Sequence, residues 1–274
     1  MLTLKYPIRD DKDIYVIGDS HSIFFGGTDK CNPYSPSYFP WNPSRKSIAK
    51  FRVYHVGPAL AYNLCKTNTT VRGRETILRL LDTVIVAGSR ILLAFGEIDC
   101  RYLIFKAAKK LNIPVEQVME HCIQRYISAA KEIKARGHDV MIWGVVASRI
   151  DMTDADKLTL QRANALYMGG IRVTLEIDET FQFGTCAERN ILTRQFNDRL
   201  EELLADEGIR FASIFEQLVD YANETKDELY LSDNVHLSQK VMPAAIEAIE
   251  RAYSGKRETN KIVRRKSCRE NIYI

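Results

Sequence analysis

Four apolar residues in a row, Ile14-Tyr15-Val16-Ile17, read as a short buried strand that Gly18-Asp19-Ser20 ends abruptly. Phe51-Arg52-Val53-Tyr54-His55-Val56 alternates and predicts a second strand, stopped by Gly57-Pro58. Ala59–Lys66 and Glu75–Val86 read as helices, and Ile91-Leu92-Leu93-Ala94-Phe95 as a third strand that stops at Gly96. Val115–Arg136 has the length and spacing of a long helix, with Gly137 at its C-cap. Val140–Val146 and Ile209–Ile214 predict strands four and five, Glu188–Ala205 a helix capped from Thr185 or nearby, and Ser238–Tyr253 the closing helix. Two stretches stand outside this alternation. Residues 26–50 are rich in Gly, Pro, Ser, Asn and aromatic rings, which predicts a loop over the edge where the first strand ends. Residues 151–187 carry the weakest pattern, compatible with a helix at Leu158–Tyr167 and an extra strand at Arg172–Ile177.

Strands separated by helices of this length predict an α/β chain with a parallel sheet covered on both faces. No internal repeat and no linker precedes Ser254, so residues 1–254 read as one domain and 255–274 as a tail. At 274 residues with 46% hydrophobic positions, the chain has ample material for a core. Its net charge of +4 is concentrated in that tail, where seven Lys and Arg from Lys256 onward face only Glu258 and Glu270. A basic tail can bind nucleic acid or an acidic membrane surface, but a solvated terminus is the simpler reading and no nucleic-acid partner is expected. The six cysteines (31, 65, 100, 122, 186 and 268) form no Cys-x-x-Cys pair, which argues against a zinc site. The first residues lack the apolar stretch of a signal peptide, and no transmembrane run of about 18 apolar residues occurs. The expectation is a soluble cytoplasmic protein with reduced thiols; nothing bears on its oligomeric state.

The candidate chemistry starts at the first strand end. A sharp strand-to-helix turn at Gly18-Asp19-Ser20 would expose the Ser20 hydroxyl at the carboxyl edge of the sheet, where open α/β sheets bind ligands. Taken alone, such a serine is a helix cap. Far downstream, Asp233-Asn234-Val235-His236 places a carboxylate three residues before an imidazole, close enough to hold one ring nitrogen and leave the other to take a proton. Serine is a poor nucleophile without such a base. Of the other candidates, His55 reads as a packed or edge histidine and His121 and His138 as solvated. Cys100 has no histidine placed to activate it. Arg189, Arg194 and Asn197 read equally well as substrate contacts or as a solvated helix face.

Together these blocks resemble the SGNH (GDSL) hydrolase superfamily over about residues 13–253. The resemblance implies a three-layer α/β/α sandwich with a five-stranded, mostly parallel sheet of flavodoxin-like type. It implies Ser20 as nucleophile, Asp233 and His236 as acid and base, and the Ser20 and Gly57 N–H groups as oxyanion donors. The third block departs from the pattern: where the superfamily has Gly-x-Asn-Asp, this chain has Gly96-Glu97-Ile98-Asp99. Ile98 cannot donate the hydrogen bond of the usual asparagine, a loss of about 10²–10³ in rate. Gly-Glu-Ile-Asp-Cys-Arg (96–101) is similar to a variant block of polysaccharide-associated members, which implies that Glu97, Asp99 and Arg101 bind substrate. The competing reading is that the two acids favour a helix N-terminus and Arg101 pairs with one of them.

The expected activity is that of a serine esterase removing an O-acyl group, O-acetyl first, from a carbohydrate, with no metal and no organic cofactor. The alternatives are a carbohydrate O-acyltransferase using the same serine, or a non-catalytic carbohydrate-binding or scaffold module with a degenerate oxyanion hole.

Overall fold

A computed structural model describes residues 13–27, 51–148, 185–230 and 236–255. Residues 28–50 of the expected 26–50 loop, the Leu158–Tyr167 and Arg172–Ile177 elements, Asp233 and the basic tail from Lys256 lie outside the described residues.

Five parallel strands form one sheet in the order β2-β1-β3-β4-β5: β1 Ile14–Gly18, β2 Phe51–His55, β3 Arg90–Ala94, β4 Asp139–Trp143 and β5 Arg210–Ala212. The order reverses beside β1, so chain direction itself opens a crevice at the carboxyl ends of β1 and β3. The α-helices are α1 Gly73–Thr83, α2 Ile104–Leu111, α3 Val115–Ala135, α4 Cys186–Asp206, α5 Phe215–Leu218 and α6 Met242–Ser254.

Strand residues alternate between two cores, as a pleated strand requires. Ile17, Ile91, Leu93, Val140 and Ile142 pack with Leu80, Ile104, Ile123, Tyr126 and Phe196 on one face. Ile14, Val16, Leu92, Met141 and Trp143 pack with Phe25, Leu218, Met242 and Ile249 on the other. A sheet buried on both faces explains the unbroken apolar runs in the sequence. The result is the expected α/β/α sandwich with its five-stranded sheet.

Several expectations change. Ala59–Lys66 contains only a single 3-10 turn, Ala61–Asn63. There the Ala61 and Tyr62 N–H groups donate to the Asp99 carboxylate, which caps the turn. The segment after β3, which carried no helix in the sequence reading, is helical from Glu97, passes through a π-helical turn at Asp99–Leu103 and continues as α2. The fourth strand ends at Trp143 rather than Val146, because Asn197 of α4 takes over its pairing: the side chain accepts from Val145 N–H and donates to Val145 C=O, both at 2.8 Å. The Thr185 cap of α4 is present as a reciprocal capping box with Glu188.

Candidate active site

The site is assembled by the ends of β1, β2 and β3. At the end of β1, a side chain on Gly18 would sit 2.3 Å from the Ala94 carbonyl and 2.7 Å from Ser22 Cβ, so only glycine fits there. The strand then turns into a 3-10 helix, Ser20–Gly26, whose N-cap is Asp19: its Oδ1 accepts from His21 N–H at 2.9 Å. Ser20 is therefore the first residue of a helical turn at the sheet edge and is partly exposed. The ladder runs past the strands, Asp19 N–H donating to Ala94 C=O and Val56 N–H to Gly18 C=O. This ties the three strand ends to one another. Gly57, just beyond β2, has φ +95°, a conformation that glycine adopts without strain.

His236 arrives from the other end of the chain. Its loop is held by bridge pairing between Tyr230 and Leu237, by Ser238 N–H donating to Leu229 C=O, and by Gln239 donating to Phe24 C=O at 2.7 Å. That last bond joins the loop directly to the Ser20–Gly26 turn. His236 Nε2 lies 2.9 Å from Ser20 Oγ. The two residues stand 216 positions apart in sequence. Asp233, expected to orient the ring, lies outside the described residues.

The third block is arranged differently from the expectation. Asp99 is fully buried, and its carboxylate accepts from Ala61 N–H at 2.8 Å and Tyr62 N–H at 3.1 Å, with Cys122 Sγ at 3.5 Å. Burial pushes its carboxyl up to about 6, against the pull of those two N–H donors. Glu97 is 5% exposed, with Oε1 accepting from Arg101 Nε at 2.7 Å and Oε2 lying 3.2 Å from His21 Nε2. Burial alone would raise its carboxyl, but the Arg101 and His21 charges overcome this and hold it well below the usual carboxylate range. Among the described residues, both carboxylates are thus enclosed and engaged by protein groups. Arg101 remains partly exposed beside Glu97. Ile98 is helical, with φ −63° and ψ −35°, and half-buried.

Asp19 is also fully buried, and burial drives its carboxyl well up from the ordinary range. His55 ends β2; burial, with the nearby His236 charge, lowers it to about 4 and keeps it neutral. Burial raises the Cys100 thiol too, which fits its exclusion as a nucleophile.

Sequence reasoning misread His138 and left Asn197 open, and it missed Asn190 and His21. His138 is buried, not solvated. Asn190 and Asn197 are buried on α4, where Asn190 accepts from Ser148 N–H as Asn197 does from Val145 N–H. Their spacing of seven, two helical turns on one face, was the available signal. Asn197 is therefore a backbone strap, and Arg194 pairs with Glu216. His21 was passed over as part of the first block, although its ring is buried at the site. Among the described residues, no group of three or more His, Cys, Asp or Glu could hold a metal ion. No helix among them is long and apolar enough to cross a membrane.

No protein-family model matches this sequence, and neither does any curated protein. Among solved structures, the chain is similar to a "putative acylhydrolase" from Bacteroides fragilis, with TM-score 0.50 and 13% identity over 92% of this chain and 91% of that one. It is also similar to a GDSL-like lipase from Bacteroides thetaiotaomicron, with TM-score 0.49 and 13% identity over 91% of each chain. What is shared is the fold.

Proposed function

We propose that this protein is a serine esterase that removes an O-acyl group, O-acetyl first, from a carbohydrate. The observation that carries the reading is the 2.9 Å approach of His236 Nε2 to Ser20 Oγ at the carboxyl edge of the sheet. In this mechanism Ser20 Oγ attacks the ester carbonyl and passes its proton to His236 Nε2, with Asp233 holding the far side of the ring. The Ser20 and Gly57 N–H groups stabilise the oxyanion. The C–O bond to the sugar breaks as His236 returns the proton to the leaving oxygen, which leaves an acyl-serine. Water then attacks that ester, loses its proton to His236, and releases the carboxylic acid and free Ser20.

Carbohydrate is favoured over lipid because the sequence of residues 26–50 is rich in aromatic rings (Tyr34, Tyr38, Phe39 and Trp41) with Asn, Ser and Lys among them, a composition suited to sugar faces. Two backbone donors without the usual asparagine predict slow turnover of small activated esters, where no remote binding energy assists. The test is labelling with a fluorophosphonate probe. Wild type should react, while Ser20→Ala and His236→Ala should not; equal labelling of all three would remove the serine mechanism.

A further inference from the structure

The Glu97 carboxylate is buried, yet it is kept charged beside the residue that follows Ser20. His21 is 8% exposed, and its ring centroid lies 5.0 Å from that of His236, the planes inclined by 39°. One of its nitrogens, Nε2, is 3.2 Å from Glu97 Oε2, an ion-pair approach without hydrogen-bond alignment; the other, Nδ1, is buried with no hydrogen-bond partner among the described residues. Glu97 is in turn gripped by Arg101 through a 2.7 Å bond one helical turn away. A histidine held by a carboxylate at one nitrogen cannot turn about its ring axis without losing that contact.

From these contacts we infer that Arg101, Glu97 and His21 form a positioning chain for the base, in which the fixed His21 ring braces the His236 imidazole so that Nε2 stays in line with Ser20 Oγ. This rests on the serine-esterase reading above. His21 and Glu97 are positioning residues, because they act through His236. Buried ion pairs of this kind add little net stability, which fits a role in geometry.

The experiment measures the rate of inactivation by a fluorophosphonate, which reports Ser20 reactivity with little contribution from substrate binding, together with kcat and KM on 4-nitrophenyl acetate and the melting temperature. His21→Leu keeps the volume apolar and removes the Glu97 contact; it should inactivate 10–100-fold more slowly, with kcat falling by a similar factor and KM within threefold. Glu97→Gln should show the same pattern. His21→Gln, whose amide can still donate to Glu97, should recover part of the rate at an unchanged melting temperature. Arg101→Gln changes a partly exposed residue, so it tests the chain even if the buried variants unfold; it should slow inactivation three- to tenfold. Wild-type rates in folded Arg101→Gln and Glu97→Gln would overturn the inference. So would a His21→Leu variant that no longer reacts while His236→Ala still does, since His21 would then be the base itself. Failure of wild type to react at all removes the serine mechanism instead, and is distinguishable from each of these.

Discussion

Two strand ends in this sheet carry the same kind of sequence and treat it in opposite ways. After β1 the chain reads Gly18-Asp19-Ser20-His21, and after β3 it reads Gly96-Glu97-Ile98-Asp99. Both follow an apolar run, and both begin a helical segment. At the β1 end the Ser20 hydroxyl stays partly exposed and meets His236 from the far end of the chain. At the β3 end the two carboxylates turn into the protein, where Asp99 caps the Ala61–Asn63 turn and Glu97 joins Arg101 to His21. Polar residues at an active edge thus divide by solvent access rather than by type. A carboxylate taken out of water has to be matched by donors or it protonates. Glu97 has the Arg101 guanidinium and the His21 ring beside it and stays charged, whereas Asp99 has two backbone N–H groups, one thiol and a raised pKa.

The sharpest test of this contrast is the β1 end itself. Ser20→Ala or His236→Ala should lower kcat on an acetyl ester by roughly 10⁴–10⁶-fold while leaving the melting temperature within a few degrees. A collapse of folding instead would make these residues structural, as Asp99 is.

Gly18→Ala should cost about 3 kcal/mol, because the added methyl meets the backbone carbonyl of Ala94, which cannot swing away as a flexible side chain would. Urea unfolding at neutral pH measures it. A near-neutral result would show that the strand end can relax.

Asp99→Asn should alter the pH dependence of stability. A carboxyl raised from 3.8 to about 6 by folding binds its proton more tightly in the native state, so wild type loses stability as pH climbs through that window. The Asn variant cannot titrate there. The wild-type advantage, ΔG of wild type minus ΔG of the variant, should therefore shrink by about 2 kcal/mol between pH 4 and pH 6.5. A difference that stays constant or grows with pH would mean that Asp99 is ionised without penalty. The smallest effect is expected from Cys122→Ala, about 1 kcal/mol for a buried thiol. Because the thiol's bond favours the charged carboxylate, the variant should also move the Asp99 step to higher pH.

Much of the architecture was legible. Two unbroken apolar runs ended by Gly18 and Gly96, and an alternating one ended by Gly57, placed strand ends at one edge, and Thr185 marked the cap of α4. Those signals are local: they depend on side-chain period, on turn chemistry and on a cap three residues long. The Ala59–Lys66 helix failed for the opposite reason. Its composition allowed a helix, but the chain there makes one 3-10 turn, capped by Asp99 from 38 residues away.

The sequence by itself determined that this chain makes an α/β sheet with a serine and a histidine at candidate catalytic positions, because periodicity and turn residues act within a few positions of themselves. Only the tertiary structure decided which polar residues face the site. Glu97, Asp99 and Arg101 look alike as a string, and the same string could serve substrate or protein. Burial made the choice, since a desolvated charge must find its partners inside the fold, and those partners, Ala61, Tyr62 and His21, come from strand ends that meet only when the sheet is assembled.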